Sequence, residues 1–191
     1  MCSLFLFIKR FIVILCLHMS KIFCIIFCFV INHSYGQPFN SARIVTMIGS
    51  HATFNFNSIS DFNNGITKNN HTMLGLQFAD SAGGFETGWN VSVKASDANF
   101  RGSDGVNLMD LNVLEISATD AGSVPLLGTF TGWQALTNGE VNLYEHNSTE
   151  DRYSTSTQIH ISYRCGVTNK INGFNSDYYE TELEIYLRPV P

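Results

Sequence analysis

Disulfide-forming cysteine is what this sequence most conspicuously lacks outside its first residues. Four of its five cysteines (Cys2, Cys16, Cys24 and Cys28) stand near the start, and Cys165 is alone in the rest of the chain. A single thiol closes no internal bridge, so everything after residue 36 must be held by buried apolar area. Residues 37–191 are enough for one core of ordinary size. Basic charge is scarce as well. All sixteen acidic residues but only eight of the eleven basic ones follow residue 36, which leaves that region at about −8. Such a surface excludes nucleic acid, whose phosphates require a basic face, and opposes an anionic membrane surface. Net charge of this size keeps an exported protein soluble. Catalytic signatures are missing too: there is no His-x-His, no His-Glu-x-x-His and no Gly-x-Ser-x-Gly elbow. The chain therefore reads as non-enzymatic, and no cofactor is implied.

What is present begins with a leader. Lys21 precedes an unbroken apolar run of ten residues, Ile22 to Ile31, and Asn32-His33-Ser34-Tyr35-Gly36 follows with small residues at the −3 and −1 positions of a cut before Gln37. Residues 1–36 thus read as a signal peptide, with translation starting at Met19. A second apolar run, Phe11 to Leu17, could be joined to it as a membrane-spanning anchor. However, His18, Ser20 and Lys21 would then sit mid-membrane, where a lysine costs about 2.5–3.5 kcal/mol. Neither Cys24 nor Cys28 follows the small residues of a lipidation box. The expected location is secreted, periplasmic or cell surface, with membrane contact only through an uncleaved leader. Export without disulfides suits a bacterial source.

Strict alternation marks three strands: Trp89 to Ala95, Ile159 to Cys165 and Thr181 to Leu187. Weaker candidates are Arg43–Ile48, Thr53–Asn57, Met73–Ala79, Leu111–Ala118 and Glu140–Tyr144. Turn clusters separate them at Asn63-Asn64-Gly65, Lys68-Asn69-Asn70, Ser81-Ala82-Gly83-Gly84, Ser103-Asp104-Gly105, Asn138-Gly139 and Asn172-Gly173. The pattern predicts an all-β, antiparallel, immunoglobulin-like β-sandwich of about seven to nine strands, forming a single domain over residues 37–191. An antiparallel barrel is the other architecture such strands can build.

Few side chains suggest chemistry. His51, His71, His146 and His160 are too scattered for a metal site and read as solvated or loop histidines. Cys165 falls on the apolar face of its strand, where a thiol behaves as a small hydrophobe. Asp97, Asn99, Ser103 and Asp104 resemble an oxygen-rich calcium loop, but Arg101 and Leu108 occupy ligand positions, so these residues read as turn formers. Glu180, Glu182 and Glu184 recur at period two, which predicts a solvated carboxylate row on the last strand that deters edge-to-edge aggregation. Among the aromatics Trp89, Trp133, Tyr153, Tyr178 and Tyr179, Trp89 alternates with valines and reads as core. Trp133, beside Gly132, is the freer candidate for glycan contact.

Three stretches carry a family likeness: Ala52-Thr-Phe-Asn-Phe-Asn-Ser-Ile-Ser-Asp-Phe-Asn-Asn-Gly65, Gly88-Trp-Asn-Val-Ser-Val-Lys-Ala95 and Asp177-Tyr-Tyr-Glu-Thr-Glu-Leu-Glu-Ile-Tyr-Leu187. Together they resemble the fimbrial-subunit and spore-coat-U-like group of secreted bacterial sandwiches. That resemblance implies a surface or extracellular structural or adhesion protein whose partner is a protein or another copy of itself. It also implies assembly by strand exchange, with Arg43, Ile44, Val45, Met47 and Ile48 in the donor strand. The reading from a different class is a carbohydrate-binding module or small glycan-active protein, with Trp133 and the Asp97–Asp104 loop at its site.

Overall fold

Alternation in the sequence becomes a two-sided sheet in the chain. The computed structural model describes residues 41–79, 88–123, 125–146 and 157–190. The leader, the Ser81–Gly84 turn and Tyr153 lie outside the described residues. In chain order the elements are β1 (Ser41–Ile48), α1 (Ile59–Asn64), β2 (Ile66–Ala79), β3 (Gly88–Ala95), β4 (Asn99–Gly102) and β5 (Leu108–Asp110). A 3₁₀ turn at Leu111–Val113 follows, then β6 (Leu114–Asp120), β7 (Thr129–Phe130), β8 (Gln134–Ala135), β9 (Val141–His146), β10 (Gln158–Cys165), β11 (Tyr179–Glu180) and β12 (Leu183–Val190). No helix among the described residues is long and apolar enough to cross a membrane.

The strands form three antiparallel sheets, in the orders β1-β2-β10-β6-β8, β12-β3-β9-β7 and β11-β4-β5. The fold is all-β and sandwich-like, as the strand pattern predicts, and does not close into a barrel. From β6 to β10 successive strands alternate between the two larger sheets. The described strands number twelve rather than seven to nine because five of them have only two to four residues, too short to leave a periodic trace in sequence.

The core forms where the alternating faces meet. Trp89, Val91, Val93 and Ala95 of β3 face Ile159, Ile161, Tyr163 and Cys165 of β10, with Leu74, Leu76 and Phe78 from β2 and Leu114, Ile116 and Ala118 from β6. Burying each such side chain contributes about 1.5–3 kcal/mol, and this replaces the missing disulfides.

Three local expectations are corrected. Thr53–Asn57 forms no strand: Phe54 and Phe56 pack on the core from an extended segment without a ladder. The turn expected at Asn63-Asn64-Gly65 is the end of a short helix. Its N-terminus is a capping box in which Ser58 Oγ accepts from Asp61 N (3.1 Å) and Asp61 Oδ2 accepts from Ser58 N (3.0 Å). Gly65 ends it at φ +76, and a Cβ there would lie 2.6 Å from the Cys165 carbonyl oxygen, so only glycine fits. The turn expected at Lys68-Asn69-Asn70 is a bulge inside β2. Asn70 takes φ +50 and its N–H donates to Ser162 Oγ at 2.9 Å, which lets the strand continue past the irregularity.

Candidate binding surface

The two groups of residues singled out for partner contact stand at opposite edges of the five-stranded sheet. At one edge, β1 pairs with β2 along its length, with Arg43 opposite Gln77, Ile44 opposite Leu76 and Val45 opposite Gly75. The segment does not hang free; it completes its own sheet. Ile44 turns inward and packs on the core. Arg43 is exposed, and Met47 and Ile48 stand out at 43% and 59% exposure. Among the described residues β1 hydrogen-bonds to one strand, β2, and stands at the end of the sheet order.

At the other edge, Trp133 precedes β8, which is pinned to β6 through the pairs Glu115–Ala135 and Ile116–Gln134. Gly132 turns the chain there at φ +76. Half-buried Trp133 lies over the guanidinium of Arg164, 4.6 Å from Cζ to ring centroid. Arg164 grips Glu115 with two parallel hydrogen bonds, Nε to Oε2 at 2.8 Å and Nη2 to Oε1 at 2.7 Å. Burial pushes the Glu115 carboxyl up, but bonds from Arg164 and Thr168 and the Arg164 charge outweigh it and hold the group below its usual range. The result is a carboxylate and a guanidinium joined edge to edge, their charges cancelled, with the indole against the guanidinium.

The remaining candidates are dispersed. Asp97 pairs with Arg101 at 2.6 Å. Asp104 Oδ1 accepts from the N–H groups of Val106 and Asn107, both at 2.8 Å, so it shapes its own hairpin between β4 and β5. Ser103 and Asn107 donate to Asp177, and these bonds hold the Asp177 carboxyl down to about 2. Among the described residues no three His, Cys, Asp or Glu side chains gather where a metal ion would sit.

The carboxylate row is corrected: Glu180 belongs to β11, opposite Arg101, while β12 begins only at Leu183. Glu184 instead faces Lys94 at 3.2 Å and accepts from the Tyr186 hydroxyl. His146 is corrected as well. It is a fully buried β9 residue rather than a loop histidine, with Nδ1 2.8 Å from the Tyr144 hydroxyl. His71 Nε2 meets the His51 carbonyl at 2.8 Å, and His160 keeps the outward position its alternation predicts. Trp89 is core at 1% exposure, whereas Tyr178 is exposed. Cys165 is buried, and burial pushes its thiol up to about 12.

Sequence reasoning passed over Arg164 and Glu115. Each sits at a polar position of a strand, where charge is ordinary, and only their 49-residue separation closing into one cross-strand pair marks them out. No family model matches this chain, and no curated protein matches it.

Proposed function

We propose that this protein is an exported, non-enzymatic structural or adhesion subunit of a bacterial surface, fimbria- or coat-like, which joins its neighbours through β1. The observation that carries this reading is the place of β1: a strand that, among the described residues, is hydrogen-bonded to β2 alone at the end of its sheet, with Met47 and Ile48 exposed. Such a strand can leave its own β2 and pair in the same register with the β2 of another copy, which replaces every hydrogen bond with an identical one. The test places Arg43→Cys and Gln77→Cys in the full chain, at positions directly opposite in the pair. Strand exchange yields oxidised dimers and longer ladders; an internal link and monomers alone would defeat it.

A second reading, glycan binding, is favoured by Trp133. Its indole is half-buried with the Arg164 guanidinium 4.6 Å from Cζ to ring centroid, and a positioned aromatic plane is what a sugar ring packs against.

A further inference from the structure

We propose that the β2 edge selects the strand it accepts, and that Gly49 is the residue it selects for. The partner is then a second copy of this chain rather than any extended peptide. This rests on the reading of assembly through β1 given above. Three features of β1 and the residue after it define what a replacement strand must carry.

The first is weak burial. Ile44 and Val45 are half-buried, while Ala42, Arg43, Thr46, Met47 and Ile48 are exposed. Ile44 packs on the core. Little apolar area holds such a strand, so it leaves at low cost. One half-buried isoleucine also discriminates poorly between strands.

The second is a change of register. Thr46 stands opposite Leu74 but Ile48 stands opposite Met73, so Met47 is an extra residue on β1. A strand that pairs regularly through this point arrives one residue out of step.

The third is the stop just past the bulge. Gly49 takes φ +71, and a Cβ there would run into the His71 carbonyl oxygen, so an incoming chain needs glycine at this place. The Gly49 carbonyl accepts from the Thr72 hydroxyl, which accepts in turn from the Tyr163 hydroxyl at 3.1 Å. Thr72 and Tyr163 are both buried. Beneath a strand that offers no carbonyl here the Thr72 proton is stranded, which costs more than the bond itself returns. Beyond it, the His51 carbonyl accepts from His71 Nε2 at 2.8 Å. His71 and Thr72 belong to β2 and Tyr163 to β10, so these reading groups stay in place when β1 departs. A second copy brings Ile44, the extra Met47 and Gly49 at the required spacing.

The test uses the full chain carrying Gln77→Cys and a synthetic peptide of residues 41–51 carrying Arg43→Cys, positions that face one another in the pair. Disulfide formation at position 77, read by peptide mass spectrometry, measures uptake of the peptide in place of the resident β1. Gly49→Ala is then placed in the peptide alone or in the chain alone, and a scrambled peptide sets the background. The expected result is crossed. Gly49→Ala in the peptide slows linking about tenfold, whereas Gly49→Ala in the chain speeds linking of the peptide that keeps Gly49, because the resident strand is then the poorer competitor. A chain that merely misfolds would not tell the two peptides apart, and that outcome overturns the proposal. If both peptides link equally to the unaltered acceptor and above background, Gly49 selects nothing, while assembly through β1 stands. If neither links above background the inference falls, and the chain-to-chain link between Arg43→Cys and Gln77→Cys decides whether the assembly reading falls with it.

Discussion

Arg164 holds Glu115 through two hydrogen bonds of 2.7 and 2.8 Å across adjacent strands, with side-chain exposures of 24% and 8%. Bidentate geometry at this burial places the pair above an ordinary surface ion pair. Removing one member strands the other. Arg164→Leu should cost about 3 kcal/mol, whereas replacing both with Arg164→Leu and Glu115→Leu should cost much less. Urea unfolding of the three proteins measures this, and equal losses in single and double variants would contradict it.

The same pair gives a pH dependence with a definite sign. The Glu115 carboxyl titrates below its unfolded value when folded, so the unfolded chain binds the proton more tightly. The stabilisation is complete above the unfolded value of about 4.3 and fades as pH falls through the lower folded value. In Arg164→Leu that acid dependence should shrink, as read by unfolding midpoints between neutral and acid pH.

Asp177 ties the β4–β5 hairpin to the segment before β11 by accepting from Ser103 and Asn107. Its carboxyl should titrate at about 2 by NMR. Its contribution is present above the ordinary value of about 3.9 and is lost as pH falls toward the folded one. Asp177→Asn should quicken hydrogen exchange at the Ser103 amide, which donates to that carboxylate at 3.3 Å, and leave the β3 amides unchanged.

Gly65 has φ +76 and sits where a Cβ would meet the backbone of Cys165, Gly166 and Val167 at 2.6 Å. Gly65→Ala must distort rigid backbone, and a cost of about 1–3 kcal/mol is expected. Gly173→Ala shares a positive φ but meets nothing within 4 Å and should cost less. Thermal unfolding of the two variants orders them.

Cys165, buried and pushed up to about 12, should resist iodoacetamide at pH 8 in the folded chain and react once urea unfolds it. Peptide mass spectrometry reads this at Cys165 alone. Rapid native labelling would mean that the β10 face opens without global unfolding.

Much of the fold was legible because burial on one face of a strand forces period two, and β3 and β10 carry that period along their length. The two-residue strands β7, β8 and β11 are shorter than any period and owe their place to neighbours already formed. The bulge at Asn70 reads as a turn because Asn-Asn favours positive φ in either setting, and Ser162, 92 residues away, decides which. The capping box Ser58-x-x-Asp61 was there to be read, although two phenylalanines just ahead of it imitate a strand.

By itself the sequence determined the class of fold, the reliance on a disulfide-free core and the inward faces of the long strands, because these follow from side-chain type at a fixed local spacing. Tertiary structure decided that Arg43–Ile48 completes its own sheet, that Glu180 and Glu184 fall in different sheets with Glu182 between them, and that Trp133 meets the Arg164 guanidinium. Those relationships join residues far apart in the chain. Sheet register sets them, and no local pattern encodes it.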